Sequence, residues 1–334
     1  MNLQWMRAWQ VAMEAVTLAA RATRAVQAEL ITSDTLEKKD RSPVTVADFA
    51  SQAVVCEALA GWFPNDPVVA EEDADALRES ANAVLRDAVV RHVQTAQPRA
   101  AAASQRQVLS WIDHGNMLEP NAQRSPARFW TLDPIDGTKG FLRGGQYAIA
   151  LGLVENGKVV LGALACPSLA HPGGRHPGTL LMAARDEGTW MYPLPSPAQG
   201  DALPARVDGL DDPAQARFCE SVESGHSDQD QSAQIAGRLG ITADPVRMDS
   251  QAKYAAVARG DASIYLRLPT RADYREAIWD HAAGAIVIEE AGGRVTDIVG
   301  APLDFSRGKR LERNRGVVAT NGAVHDAVIK AIQN

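Results

Sequence analysis

Arg128-Phe129-Trp130-Thr131-Leu132-Asp133-Pro134-Ile135-Asp136-Gly137-Thr138-Lys139-Gly140-Phe141 reads as an apolar strand running into an acidic turn. Residues 128–132 are aromatic and β-favouring, and residues 133–141 form a turn able to open a short helix. Asp133 and Asp136 place two hard oxygen ligands on that turn, with the Ile135 carbonyl between them. Mg²⁺ prefers carboxylate, carbonyl, water and phosphate oxygens, so this is a metal-binding pattern. The N–H groups of Gly137 and Thr138, at the expected helix start, offer an anion site beside it.

Working towards the N-terminus, Val68-Val69-Ala70 follows the turn Pro64-Asn65-Asp66-Pro67 and reads as a short buried strand, with Glu71-Glu72-Asp73 at its end. Thr45 and Asp48 have capping-box spacing, with the shorter acid in place of Glu, which predicts Asp48 in the first turn of a helix ending near Gly61. Met6, Trp9, Met13, Val16 and Ala20 recur at helical spacing and predict an amphipathic first helix. Residues 74–128 are Ala-rich with scattered charges, which suggests a helix or two and a surface loop over 97–107.

Towards the C-terminus, Tyr147 to Val154 and Lys158 to Ala165 flank Glu155-Asn156-Gly157, a hairpin signal that predicts a large antiparallel sheet. Residues 193–204, rich in Pro and small residues, read as a linker. Beyond it, strand patterns at 218–222, 264–268, 295–298 and 317–319 alternate with helical ones at 229–239, 251–259, 279–291 and 324–332. The expected division is an α+β part over 1–195 and an α/β part over 205–334. Asp280 falls at the start of the helix predicted over 279–291.

At 334 residues the chain is long enough for roughly two domains. Its 46% hydrophobic and 22% charged residues exclude disordered, collagenous and coiled-coil classes. A formal charge of -7 argues against a nucleic-acid polymer or an anionic membrane as partner, while leaving room for a small anionic ligand in a local pocket. Three scattered cysteines, Cys56, Cys166 and Cys219, give neither a disulfide framework nor a zinc motif. Arg7, Glu14, Arg21 and Arg24 interrupt the N-terminal apolar residues, so a signal peptide or membrane span is not expected and the chain reads as cytoplasmic.

Singly, several of these features have ordinary explanations. Glu71-Glu72-Asp73 alone is a solvated charge run, Asp280 a helix-dipole residue, and Lys253 and Arg267 surface charges. His92, His114, His171, His176 and His325 form no metal-binding pattern and read as solvent-facing. His281 beside Asp280 orients backbone or acid, and Tyr147, Tyr254 and Tyr265 read as core.

Together, Trp130 to Phe141, Glu71-Glu72-Asp73, Ile278-Trp279-Asp280-His281-Ala282-Ala283-Gly284 and Glu290-Ala291-Gly292-Gly293 resemble the signature motifs of the inositol monophosphatase superfamily. That resemblance extends over nearly the whole chain and implies a layered αβαβα sandwich. It assigns Glu71, Asp133 and the Ile135 carbonyl to a first Mg²⁺, and Asp133, Asp136 and Asp280 to a second, with two or three ions in all. It makes Asp48 and Thr138 the water-activating pair, with Thr138 hydrogen-bonded to Asp48, and Gly137 and Thr138 the phosphate-binding turn. Li⁺ sensitivity is implied as well.

Asp136 to Arg143 is similar to the 3'(2'),5'-bisphosphate nucleotidase branch, as are Val222 to Ser227, Met248 to Tyr254 and Ile264 to Pro269. In that branch the residues corresponding to His226, Ser250, Lys253 and Arg267 bind the nucleotide. The implied partner is a small phosphorylated nucleotide, and the implied assembly a monomer or homodimer. An inositol-phosphate or sugar-phosphate phosphatase remains an alternative, and a catalytically silent phosphonucleotide sensor a further one. Ala70 departs from the family, which often has Gly before the acidic pair, and residues 74–128 do not align with it.

Overall fold

The computed structural model describes residues 3–32, 42–117, 124–174, 176–194, 202–222, 229–269, 271 and 273–334. Helices α1 (Leu3–Thr32) and α2 (Ser42–Trp62) pack on each other and on one face of a large sheet. Trp9, Val16 and Ala20 lie in that core and Met13 is half-buried, while Met6 is exposed and its neighbour Trp5 fills the core in its place. Because α2 already begins at Ser42, Thr45 is inside the helix and Asp48 stands in its second turn, not its first. Pro43 suits that earlier start, since a proline is well tolerated in a first turn.

Strand β1 (Val68–Ala70) emerges from the predicted turn at 64–67. Residues 74–117 then build α3 (Asp75–Arg78), α4 (Ala83–Ala96) and α5 (Gln105–Asp113), more helix than the sequence suggested. The predicted loop over 97–107 is not a plain surface loop. Gln97, Ala100 and Ala103 are buried, and Ser104 and Gln107 form a reciprocal capping box that starts α5 inside it.

Among the described residues the large sheet has seven strands in sequence order: β1, β2 (Arg128–Asp136), β3 (Ala148–Glu155), β4 (Lys158–Cys166), β5 (Gly178–Ala184), β6 (Gly188–Leu194) and β7 (Leu203–Ala205). β1 pairs parallel to β2 and every later pair is antiparallel. The β3–β4 hairpin turns at Asn156 and Gly157, both at positive φ (50° and 77°), as a two-residue primed turn requires. Residues 195–201 of the predicted linker lie outside the described residues. Its end is an edge strand, because Leu203 and Ala205 pair with Met191 and Thr189 of β6.

The acidic turn also differs from expectation. Strand β2 continues through Asp136, with a bulge between Asp133 and Asp136 that breaks the register against β3. Bulges re-aim side chains at sheet ends, which is the role this one plays for the two aspartates. The short helix α6 (Thr138–Leu142) follows.

A second sheet, ordered β11–β12–β10–β8–β9, is built from β8 (Phe218–Glu220), β9 (Val246–Arg247), β10 (Ile264–Arg267), β11 (Arg294–Thr296) and β12 (Val317–Thr320). Helices α8 (Ala252–Ala258) and α9 (Ala282–Glu290) lie between the two sheets, and α7 (Gln229–Leu239) and α10 (His325–Gln333) cover the far face. The layers are thus α, β, α, β, α. Small residues on α9 let it ride close to the large sheet, and a Cβ on Gly162 of β4 would fall 2.5 Å from Ile286 Cγ2. Asp280 stands in the turn before α9 rather than on the helix.

Three histidines predicted to face solvent are buried instead: His92, His171 and His325. Each ring has a polar neighbour that permits burial. His92 lies 3.3 Å from Glu29, His171 accepts the Gly173 N–H, and His325 bridges Thr296 and Thr320 at 2.9 Å each. His114 and His176 are half-buried. Cys56, Cys166 and Cys219 are free and buried, and burial pushes all three thiols up, away from reactivity. No helix among the described residues is long and apolar enough to cross a membrane.

Candidate active site

The bulged end of β2, the loop after β1 and the turn before α9 converge on one cleft of about 250 Å³. Glu71, Asp133, Ile135, Asp136 and Asp280 line it, with Gly137 and Thr138 at the start of α6. Ser250, Lys253 and Arg267, from the loop before α8, α8 itself and β10, line it as well. Eleven of the twelve residues singled out from sequence can be placed, and ten of these line the cleft directly. His226 lies outside the described residues.

Asp48 is buried on α2 and does not line the cleft. Burial, then the charges of Glu72 and Glu71, raise its carboxyl well above the ordinary range. Thr138 is exposed at the start of α6, and no hydrogen bond joins it to Asp48. The expected Thr138–Asp48 contact is therefore absent from this structure, since one partner is exposed and the other enclosed.

The acids are held in place by their neighbours. Gln52 donates to the Glu72 carbonyl at 2.6 Å and accepts the Glu72 N–H at 3.1 Å, and Asn116 donates to the same carbonyl at 3.0 Å. Ser51 donates to the Pro134 carbonyl in the bulge at 2.8 Å. Asp136 accepts the Gln251 N–H at 2.6 Å. Gly137, at φ 86°, lets the chain turn sharply from β2 into α6.

Crowding sets the electrostatics. Burial and the charges of Asp280, Glu72 and Asp136 push Glu71 up to about 8, although Asp133 hydrogen-bonds to it. Burial, then Glu71, Asp136, Asp280 and Asp48, raise Asp133 well above the carboxylate range. Burial pushes Asp280 up to about 6, with Asp136 adding to the rise and His281 opposing it. Asp133 Oδ1 is buried and accepts no hydrogen bond. Four crowded carboxylates with an unpartnered oxygen among them fit a hard divalent cation, whose charge would relieve their repulsion.

Glu276, Asp280 and His281 also bring one potential ligand atom each within 4.8 Å of one another. Two of these are committed elsewhere. His281 joins Tyr254 through Nδ1 at 2.7 Å and Glu276 through Nε2 at 3.4 Å, and Arg267 Nε donates to Glu276 at 3.4 Å. Burial would raise Glu276, but His281 and Arg267 hold it below its ordinary value. This network is an ion-pair cluster whose Arg267 and His281 line the cleft. The all-oxygen set centred on Asp133 matches Mg²⁺ better than a set containing imidazole.

Positive charge lines the same cleft. Lys253 is 5% exposed, and its ammonium sits 5.3 Å from the centroid of the Tyr265 ring. Burial lowers its pKa. Burial also opposes the Arg267 charge, but Tyr265 and Glu276 outweigh it and hold the guanidinium above its ordinary range. Neither is the surface charge that sequence alone favoured.

The sequence profile of the inositol monophosphatase family matches residues 7–334. The chain belongs to that family. Related members named 3'(2'),5'-bisphosphate nucleotidase include one from Schizosaccharomyces pombe, 43% identical over 335 residues, with 96% of this chain and 94% of that protein covered. Another, from Emericella nidulans, is 45% identical over 322 residues, covering 90% of each, and one from Oryza sativa is 46% identical over 341 residues, covering 97% and 92%. The fold matches inositol monophosphatase from Anabaena (Nostoc) with a TM-score of 0.62 at 20% identity, covering 99% and 96% of the two chains. Mycobacterium tuberculosis SuhB matches at 0.61 and 22%, covering 98% and 96%.

Some cleft residues of this family member escaped the sequence reading. Asp249 pairs with Arg143, tying α6 to the loop before α8. Ser221 and Lys139 line the cleft, Glu276 backs Arg267, and Gln251 contacts Asp136. The neighbouring Ser250 and Lys253 mark the segment of Asp249 and Gln251, but no local pattern points to Glu276 or Ser221.

Proposed function

We propose that this chain is a Mg²⁺-dependent 3'(2'),5'-bisphosphate nucleotidase that converts adenosine 3',5'-bisphosphate to AMP and phosphate. One observation carries the reading: a single cleft is lined both by a carboxylate cluster and by two cations, the buried Lys253 and the half-buried Arg267. A substrate with two phosphates needs both. The names of the related proteins support the same substrate class.

In this reading Glu71, Asp133 and the Ile135 carbonyl hold a first Mg²⁺, and Asp133, Asp136 and Asp280 a second, with a total of two or three. Mg²⁺ bound there activates water and neutralises charge on the phosphate. The Gly137 and Thr138 N–H groups orient the phosphate that is cleaved. Asp48, whose carboxyl is raised well above the ordinary range by burial and the charges of Glu72 and Glu71, takes the proton of the attacking water, which the Thr138 hydroxyl orients. Catalytic hydrogen bonds are often long or unmade before substrate binds, so the separation of Thr138 from Asp48 is compatible with that role. Lys253 and Arg267, with Ser250 and His226, bind the phosphate that is retained and the nucleoside.

The residues over 1–195 supply most of the metal ligands, and those over 205–334 supply substrate contacts and Asp280. The same reading makes the enzyme cytoplasmic, monomeric or homodimeric, Li⁺-inhibited, and without a nucleic-acid polymer or membrane as partner. The test is phosphate release with Mg²⁺ from adenosine 3',5'-bisphosphate, inositol 1-phosphate and fructose 1,6-bisphosphate at matched ionic strength, each repeated with Li⁺. A strong preference for the nucleotide is expected. Preference for either other ester overturns the substrate assignment, and indifference to Li⁺ counts against the metal geometry.

A further inference from the structure

Gln251 is 2% exposed; its carbonyl accepts from the first turn of α8, while its N–H and its side-chain amide bond to other elements. Its N–H donates to Asp136 Oδ2 at 2.6 Å. Its Nε2 donates to the Trp279 carbonyl at 3.0 Å, and its Oε1 accepts the Gly284 N–H at 3.3 Å. Trp279 immediately precedes Asp280, and Gly284 lies in the first turn of α9, where N–H groups lack partners within the helix. One residue thus holds one aspartate by its backbone and brackets the other with its side chain. Ser250 enters this position at φ 66°, unusual for a residue with a side chain, and its Oγ accepts the Ala252 N–H at 3.1 Å. That turn brings the Gln251 N–H to Asp136.

We propose that Gln251 is a positioning residue that fixes the Asp136 carboxylate relative to Asp280, and so sets the affinity of the second cation site. The inference rests on the reading of Asp136 and Asp280 as ligands shared by that cation. Groups that orient metal ligands influence affinity without touching the metal. A purely packing role for the Gln251 side chain predicts a loss of stability alone.

The experiment is an Mn²⁺ titration followed by electron paramagnetic resonance, which needs no turnover. It compares the parent protein with Gln251→Met, which keeps length but removes both side-chain hydrogen bonds, and with Gln251→Asn, which keeps the amide at shorter reach. Gln97→Ala serves as a control, since Gln97 is equally buried but bonds Glu57, away from the cleft. In both Gln251 variants the weaker class of Mn²⁺ sites is expected to lose affinity by about tenfold, with the tighter class nearly unchanged. The Mg²⁺ concentration for half-maximal phosphate release should rise in parallel. Parent-like Mn²⁺ binding with only a lower Tm overturns the proposal, as does equal weakening of both classes or the same weakening in Gln97→Ala. Asp136→Asn and Asp280→Asn, titrated alongside, test the underlying ligand reading. If they bind Mn²⁺ like the parent, that reading has failed. If they weaken it while the Gln251 variants do not, only the positioning role has failed.

Discussion

Gly137 and Ser250 meet with both backbones in the left-handed region, at φ 86° and 66°, and a Cβ on Gly137 would lie 2.7 Å from the Ser250 Cβ. The two halves of the cleft therefore touch at a point with no room for a methyl group. Gly137→Ala is expected to cost about 1–3 kcal/mol through strain alone, and more through the clash. It should lower Tm and, by shifting the turn into α6, reduce turnover. Adding Ser250→Gly removes the opposing Cβ and should recover part of the stability. A double-mutant cycle in denaturant checks this, and strict additivity would contradict the contact.

Asp136→Asn is expected to abolish turnover, because the crowded carboxylates lose one anionic ligand. Kinetics across a Mg²⁺ series provide the check. Near-normal activity with unchanged Mg²⁺ dependence would refute the assignment.

For Lys253→Ala the expected loss is selective. Removing a charged hydrogen-bond donor should lower kcat/KM on adenosine 3',5'-bisphosphate by about ten- to a hundredfold, with little change on inositol 1-phosphate. An equal loss on both esters would mean that Lys253 supports the fold or the metal acids rather than the second phosphate.

Protons and cations should compete at the acid cluster. Glu71 is pushed up to about 8 and Asp280 to about 6, so both gain protons as pH falls through those values. Cation binding must displace those protons, so the half-saturating Mg²⁺ concentration should rise as pH falls from about 8 to about 6. Metal titrations across that interval test the sign, and a Mg²⁺ requirement independent of pH would rule the coupling out.

His325 should control part of the acid stability. It is fully buried between Thr296 and Thr320, and burial, with Arg294 nearby, pushes its pKa down to about 4 from an ordinary 6.5. The unfolded chain therefore takes the proton first. This contribution is complete above about 6.5 and is lost progressively as pH falls to about 4. Denaturant midpoints of the parent and of His325→Gln, measured over that range, should differ in slope. Parallel curves would remove His325 from the account.

Strong local signals made much of this molecule legible. Glu155-Asn156-Gly157 marked the hairpin because a two-residue loop admits few backbone geometries, and residues 229–239 matched α7 to the residue. The Asp133–Asp136 pair stood out in the sequence as an acidic turn, but the bulge between its members depends on pairing with β3 and leaves no trace in spacing. Buried polar groups were the weakest point. His325, Gln251 and Glu276 are satisfied by partners distant in sequence or on other elements, so composition alone suggested solvent or nothing at all. The Thr45–Asp48 pattern misled because a capping pair looks the same when the helix has already begun.

The close seating of α9 on β4 has a consequence during synthesis. Strands β2 to β6 are complete well before Ala282–Glu290 leaves the ribosome, so the face that includes Gly152 and Gly162 waits without its cover. A nascent chain with a large uncovered apolar sheet is prone to association with its neighbours. Slow codons or truncations between β6 and α9 would lengthen that wait, and chaperone demand would be set there rather than at the chemistry.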